Sequence, residues 1–487
     1  MEKDKKGYTF RKFMNDIHLW VGIGSGIILF IICFTGTMYV FTKEITQWVD
    51  SDKFNVVVPA NKGKIPVTQL VASLEAEKKD SKVTGINIPE GSEKAWFFTL
   101  TPKDIIQRRA KENKEKEKRE KEGKAEGKEG RKRGERSEGK QKERAEGKIA
   151  AGKENGKGVK PGEEERRKKG MGDRERIKTY LVNPYTGQIQ GDARTPTSKF
   201  FNTVMGLHRW LLLDHDIGRP ITGVATILFI LIEITGLILW LPAKIKSWKK
   251  WNAWKAGFKI KTDANWKRIN HDLHNSLGFY TFLLITLMAL TGLTFSFEWF
   301  REGVGYVFGA KPFEERKEAP LLSAYSGAKP FDLDAVISNA NTVFPYGGNI
   351  RLSMPKDSVG TISITKSKDG FISSAGTDRV ILEQYTGRIL KTEKFSDKKT
   401  GEQIVALIYP LHVGEVFGTI TKIIYFIACL IATSLPVTGT IIWINKLRKK
   451  PKKKAGVPGK HKDKARQFKV KVPQLNFKSL SKSFNIF

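Results

Sequence analysis

Asp16-Ile17-His18-Leu19-Trp20-Val21-Gly22 opens an apolar run that meets no further charge before Lys43. A run of that length crosses a bilayer as one helix. Asp272-Leu273-His274-Asn275-Ser276-Leu277-Gly278 repeats the Asp-x-His-x-x-x-Gly pattern and opens a second uncharged run. Gly36 follows His18 by 18 residues and Gly292 follows His274 by 18, each directly after a threonine. Two spans of one design point to a duplicated chain, and repeats of this kind govern the whole reading.

Working outward, the repeat grows. Leu207-His208 precedes an apolar run holding Thr235-Gly236 and Trp240; Leu411-His412 precedes one holding Thr438-Gly439 and Trp443. The distances from histidine to glycine are 28 and 27 residues. Upstream lie matching turns, Tyr185-Thr186-Gly187 and Tyr385-Thr386-Gly387. The chain therefore reads as two homologous halves, about 1–250 and 262–450. Each half is a span, an external domain and a span.

The formal net charge is +35, and its placement matters more than its sum. Residues 1–12 carry five basic and two acidic groups, 242–270 nine and one, and 445–487 fifteen and one. With four spans, all three segments lie on one side, and a Lys/Arg excess beside spans marks the cytoplasmic face. Both termini and the link are expected inside, with the membrane crossed several times. The basic clusters are thereby explained without nucleic acid. Cys33 and Cys429, the two cysteines, both fall within spans, which excludes a structural disulfide or a Cys-x-x-Cys metal site. The basic-then-apolar N-terminus is too long in its apolar part for a signal peptide and reads as an uncleaved helix.

The expected fold is an α-helical membrane protein of four transmembrane helices, each half carrying an external small α+β domain. The boundaries expected are 1–43 for the N-terminus and first helix, 44–200 for the first external domain and 201–245 for the second helix. A basic link at 246–270, a third helix at 271–299, a second external domain at 300–410, a fourth helix at 411–446 and a basic tail at 447–487 follow. Val67, Leu70, Val71 and Leu74 share a helix face, with Pro66 suited to its first turn. Val83–Ile88 and Ala95–Leu100 read as strands. In the second domain Asp332 is placed to cap a helix. Residues 103–178 hold 29 basic and 18 acidic groups and few apolar ones, so most of this insert is expected to be disordered. Trp248, Trp251 and Trp254 among lysines read as an interfacial anchor.

Six of the seven histidines gather at span ends, and His461 lies in the basic tail. His18 with His274, and His208 with His412, are matched by the repeat. Two imidazoles facing one another in a bundle can hold a haem iron from both sides. Gly22 and Gly278, one turn beyond His18 and His274, leave room for a flat ring. Two haem b groups, one near each face, would form an electron path across the membrane. A histidine at a helix end also caps termini or meets the lipid interface, and Gly22 with Gly26 also suits helix packing. Zinc is a poorer match for a set without cysteine. His271, one turn from His274, is an alternative ligand that lacks a repeat partner. Glu233, ionisable within a span, is a further candidate. Asp214, His215, Asp216 and Arg219 form a polar cluster outside the second span.

With these residues the chain resembles the PepSY-associated transmembrane-helix family. The motifs are the Asp16–Gly22 opening, Leu-His-Arg-Trp-Leu at 207–211, Asp272–Gly278 and Leu-His-Val-Gly-Glu at 411–415, with the Tyr-Thr-Gly turns similar to the ends of PepSY modules. The resemblance covers about 10–450 without the insert. It implies PepSY-like external domains and haem-containing reduction of a ferric siderophore or other ferric chelate on the periplasmic side, during iron uptake. No Gly-rich dinucleotide motif is present, so electrons are expected from a quinol or a separate reductase. The other function left open is a non-enzymatic accessory or regulatory protein of an iron-uptake system.

Overall fold

Four helices are long and apolar enough to cross a membrane: Phe10–Tyr39, His215–Trp240, Trp266–Ser296 and Thr419–Leu447. They are seen in a computed structural model that describes 8–112, 115, 172–313 without 174, 321–368 without 325, 326, 328 and 356, and 376–448. In chain order the helices that matter here are α1 (Phe10–Tyr39), α2 (Thr42–Val49), α3 (Val67–Glu77), α4 (Pro196–Trp210) and α5 (His215–Trp240). They continue as α6 (Trp251–Phe258), α7 (Trp266–Ser296), α8 (Glu298–Phe308), α9 (Leu333–Val343), α10 (Ile408–Val413) and α11 (Thr419–Leu447).

Local chemistry sets the helix ends. The Thr9 hydroxyl accepts from the Lys12 N–H to start α1, and Thr195 accepts from Ser198 ahead of Pro196 to start α4. Asn265 accepts from Arg268 at the start of α7. Each side chain satisfies one of the N–H groups a helix start leaves without a partner. At the other end of α5, the Arg11 guanidinium donates to the carbonyls of Ile238, Leu239 and Leu241. This cation sits where the helix dipole is negative.

The strands are β1 (Ser81–Ile88), β2 (Trp96–Pro102), β3 (Lys178–Val182), β4 (Ile189–Asp192), β5 (Asn349–Ser353), β6 (Thr361–Ser367), β7 (Thr377–Glu383) and β8 (Ile389–Glu393). They fall where alternation and turn residues place them. Their assembly was not legible from those signals. All eight form one antiparallel sheet in the order β4-β3-β2-β1-β5-β6-β7-β8. β1 and β5 pair from Gly85 opposite Ser353 to Ile88 opposite Ile350. One apolar core runs beneath both portions, including Leu70, Phe98, Val336, Phe344, Leu352 and Leu382. The first four strands and the last four thus share a sheet and a core.

The helices on that sheet cap one another. Asp334 in the first turn of α9 accepts the backbone N–H groups of Val67 and Thr68 at 2.8 and 3.0 Å. The Thr68 hydroxyl in turn accepts from the Leu333 N–H at 3.1 Å. Asp332 caps its own helix by accepting from Ala335, as expected.

The expectation for 103–178 needs correction at its ends. Residues 103–112 are helical, Ile105 is wholly buried, and Arg108 pairs with Asp173. Arg176 grips both carboxylate oxygens of Asp104, at 2.7 and 2.9 Å. Composition hid these ends because a few specific contacts outweigh an otherwise polar sequence. The remainder of that insert and most of the tail at 447–487 lie outside the described residues.

Candidate functional site

The four repeat-matched histidines meet as two pairs. The His18 and His274 ring centres lie 6.2 Å apart at an interplanar angle of 84°. The His208 and His412 centres lie 6.3 Å apart at 56°. The first pair stands near the far ends of α1 and α7, the second near the sheet. Along α1, His18 and the His208 partner Thr35 are separated by 17 residues, ~25 Å of helix.

One cradle holds all four rings. His18 Nδ1 lies 3.0 Å from the Ile232 carbonyl and 3.1 Å from the Thr235 hydroxyl. His208 Nδ1 lies 2.9 Å from the Ile32 carbonyl and 3.3 Å from the Thr35 hydroxyl. His412 Nδ1 uses the Met288 carbonyl at 3.0 Å and the Thr291 hydroxyl at 3.1 Å. His274 Nδ1 uses the Thr438 hydroxyl at 2.9 Å and the Leu435 carbonyl. Each threonine donates its own proton back to a carbonyl four residues earlier, so its free lone pair faces the ring.

The glycine after each threonine completes the cradle. A Cβ on Gly236 would lie 3.1 Å from His18 Cε1, and one on Gly36, Gly292 or Gly439 would lie 3.2 Å from Cε1 of His208, His412 or His274. That is closer than ordinary carbon contact, so the ring seats itself against bare backbone. The Thr-Gly pairs were visible in sequence as marks of the repeat, but not as partners of the histidines. Their constant sequence form was the signal available.

This arrangement fixes the tautomer. A carbonyl can only accept, so Nδ1 carries the proton and Nε2 keeps a lone pair. A metal-bound histidine characteristically anchors its other nitrogen in this way. With the two Nε2 atoms facing one metal, two metal–nitrogen bonds of ~2.0 Å plus two ring half-widths of ~1.1 Å would set ring centres ~6.2 Å apart, and the observed 6.2 and 6.3 Å fit that spacing. Two neighbouring imidazoles and no third ligand suit an iron already held in a porphyrin plane. No cluster of three or more His, Cys, Asp or Glu able to hold a bare ion occurs among the described residues.

The surroundings differ between pairs. Beside the far pair, nothing lies within 4 Å of a Cβ placed on Gly22, and Gly278 would meet only the Leu435 methyls, at 3.8 and 3.9 Å. Below them Trp240 stacks on Phe279 at 3.7 Å, and its indole N–H donates to the Gly257 carbonyl at 3.1 Å. The Ser276 hydroxyl donates to the same carbonyl, so α6 is folded back across this end. Beside the sheet-side pair, the Phe295 ring lies 5.3 Å from His412.

Other candidates fall outside the pairs. The His271 side chain is 55% exposed beside Asp272, and it is His274 whose ring neighbours His18. His215 is likewise exposed, 3.3 Å from Asp216. Glu233 accepts a 2.8 Å hydrogen bond from Thr286 of α7. No histidine touches it among the contacts described.

The model of the family described as PepSY-associated TM region matches residues 16–446. No curated protein matches the chain.

Proposed function

The chain belongs to the PepSY-associated TM region family, and on that premise we propose that it is a haem-binding electron-transfer protein of the bacterial inner membrane, reducing ferric chelates on the sheet side. The observation that carries this reading is the pair of opposed, identically cradled histidine couples, with ring centres 6.2 and 6.3 Å apart. His18 with His274 would hold one haem b and His208 with His412 a second. A bound haem supplies a one-electron couple whose potential the axial ligands and their burial tune.

The chain's own residues do the rest. The carbonyl and threonine at each Nδ1 hold the ring's orientation and raise the basicity of Nε2. Gly22 and Gly278 leave space beside the far pair. Trp240, Phe279 and α6 pack across that end. The sheet-side pair lies where a chelate outside the membrane could approach, given termini inside by the Lys/Arg excess. Electrons would enter at the far pair from a quinol or a separate reductase.

The test is a visible spectrum of purified protein followed by one cycle of reduction and oxidation. A Soret band with the features of six-coordinate, low-spin iron is expected, shifted to longer wavelength by reductant and shifted back by a ferric chelate. A protein purified intact without a Soret band would defeat this reading and favour the accessory role.

A further inference from the structure

Three arginines at the sheet-side end of the bundle serve none of these roles. Packing brings them to one corner. The Thr222 hydroxyl donates to the Arg209 carbonyl at 2.8 Å. Gly218 lies so close to the Trp210 carbonyl that a Cβ there would be 2.0 Å from its oxygen. The start of α5 is thereby pressed onto the end of α4. One turn on, Gly223 abuts the Phe297 ring and Ser296, and the Arg301 N–H donates to the Phe297 carbonyl at 3.2 Å. Arg209, Arg219 and Arg301 therefore converge from α4, α5 and α8. Arg219 lies within electrostatic range of Arg301 and Arg209, and of the carboxylates of Glu298 and Asp216.

Such a corner is unsatisfied as it stands. The Nε atoms of Arg219 and Arg301 are both buried without a hydrogen-bond partner. None of the three arginines forms an ion pair within 4.0 Å among the described residues. Half-buried cations with no ion pair at close range are left under-compensated, and a guanidinium fork matches a planar oxyanion with two hydrogen bonds at once.

We propose that Arg219 and Arg301, with Arg209 at the rim, form a carboxylate-binding site at the sheet-side end of the bundle. The carboxylate can come from two sources: an acidic ferric chelate arriving from outside, or a propionate of a haem held by His208 and His412. The second source rests on the proposed function; the first does not.

The test uses purified protein with its haem, as wild type, Arg219→Gln, Arg301→Gln and Arg301→Lys. Iron-free citrate is titrated calorimetrically at low salt, and the haem potentials are titrated in parallel. If the carboxylate is exogenous, citrate binds, each Gln variant weakens it at least about tenfold, and Arg301→Lys retains part of the affinity. The haem potentials then stay unchanged. If it is a propionate, citrate does not bind and the Gln variants shift or deplete the sheet-side haem alone. Unchanged behaviour of both Gln variants in both titrations overturns the proposal, as does inorganic phosphate binding as tightly as citrate. Should the Gln variants lose both haems, Arg301→Lys decides by the same readouts. A protein without haem would defeat the electron-transfer reading yet leave the citrate titration decisive.

Discussion

His18 and His274 stand on helices that cross the bundle, α1 and α7, whereas His208 and His412 stand on short helices, α4 and α10, that stop before the next span begins. The cradles are exchanged accordingly. α5 and α11 receive the far-side histidines; α1 and α7 receive the sheet-side ones. So α1 and α7 each give a ligand at one end and a cradle at the other. A far-side ring can shift only if a whole span shifts. A sheet-side ring can shift with a helix of 15 or six residues. The same contacts therefore make a rigid site at one end and an adjustable one near the sheet.

Removing a ligand is the largest perturbation. His412→Ala should abolish chelate reduction and remove about half the haem absorbance, leaving the far pair intact. His18→Ala should remove the other half and block electron entry while the sheet-side haem stays bound. Both must be read at equal protein levels, since an empty pocket loses ligand-linked stability. Full haem content in both variants would refute the assignment of the pairs.

The cradle glycines sharpen the contrast in rigidity. Ala at Gly236 or Gly439 drives a Cβ to 3.1 or 3.2 Å of a ring carried by a span. Overpacking of this kind costs about 1–3 kcal/mol where neighbours cannot give. Ala at Gly36 or Gly292 makes the same approach to a ring on a short helix. Far-side haem retention and thermal stability should drop more than their sheet-side counterparts. Equal losses would mean that α4 and α10 are as fixed as the spans.

Thr235→Val and Thr35→Val should act more weakly. Each removes one of two acceptors at Nδ1 and leaves the carbonyl, a loss on the order of 1 kcal/mol. The expected readout is haem release faster by roughly fivefold, similar at both ends because the hydrogen bonds are alike.

Part of this contrast was readable in the chain itself. Uncharged runs mark spans because a charge within the bilayer is costly, and repeat-matched histidines marked both pairs. The preference for His274 over His271 came from the repeat alone, and its burial could not be known in advance. Pairing of β1 with β5 left no local trace, because strand alternation specifies a face and not a neighbour across 260 residues. The convergence of Arg209, Arg219 and Arg301 was invisible for a related reason. Only Arg219 stood in the polar cluster recognised from sequence, and Arg301 reaches it through the packing of Gly223 on Phe297.

The smallest expected effect concerns a difference between the two halves of the sheet. The first half carries the charged insert between β2 and β3, and the second has nothing comparable between β6 and β7. Deleting 116–171 should leave both histidine pairs and the sheet unchanged, because the insert is closed at its base by Arg108 with Asp173 and Arg176 with Asp104. Asp173→Asn tests that closure. The Arg108 guanidinium hydrogen-bonded to Asp173 holds its carboxyl below the usual range. A lowered folded-state pKa stabilises above the unfolded value of about 3.9 and loses its effect as pH falls through the folded value. At pH 7 the variant should therefore unfold at a slightly lower temperature than wild type. Below about pH 4 the two should converge as Asp173 takes up its proton. A gap that persists in acid would show that Asp173 acts through packing, and that the base of the insert is held by something other than its ion pairs.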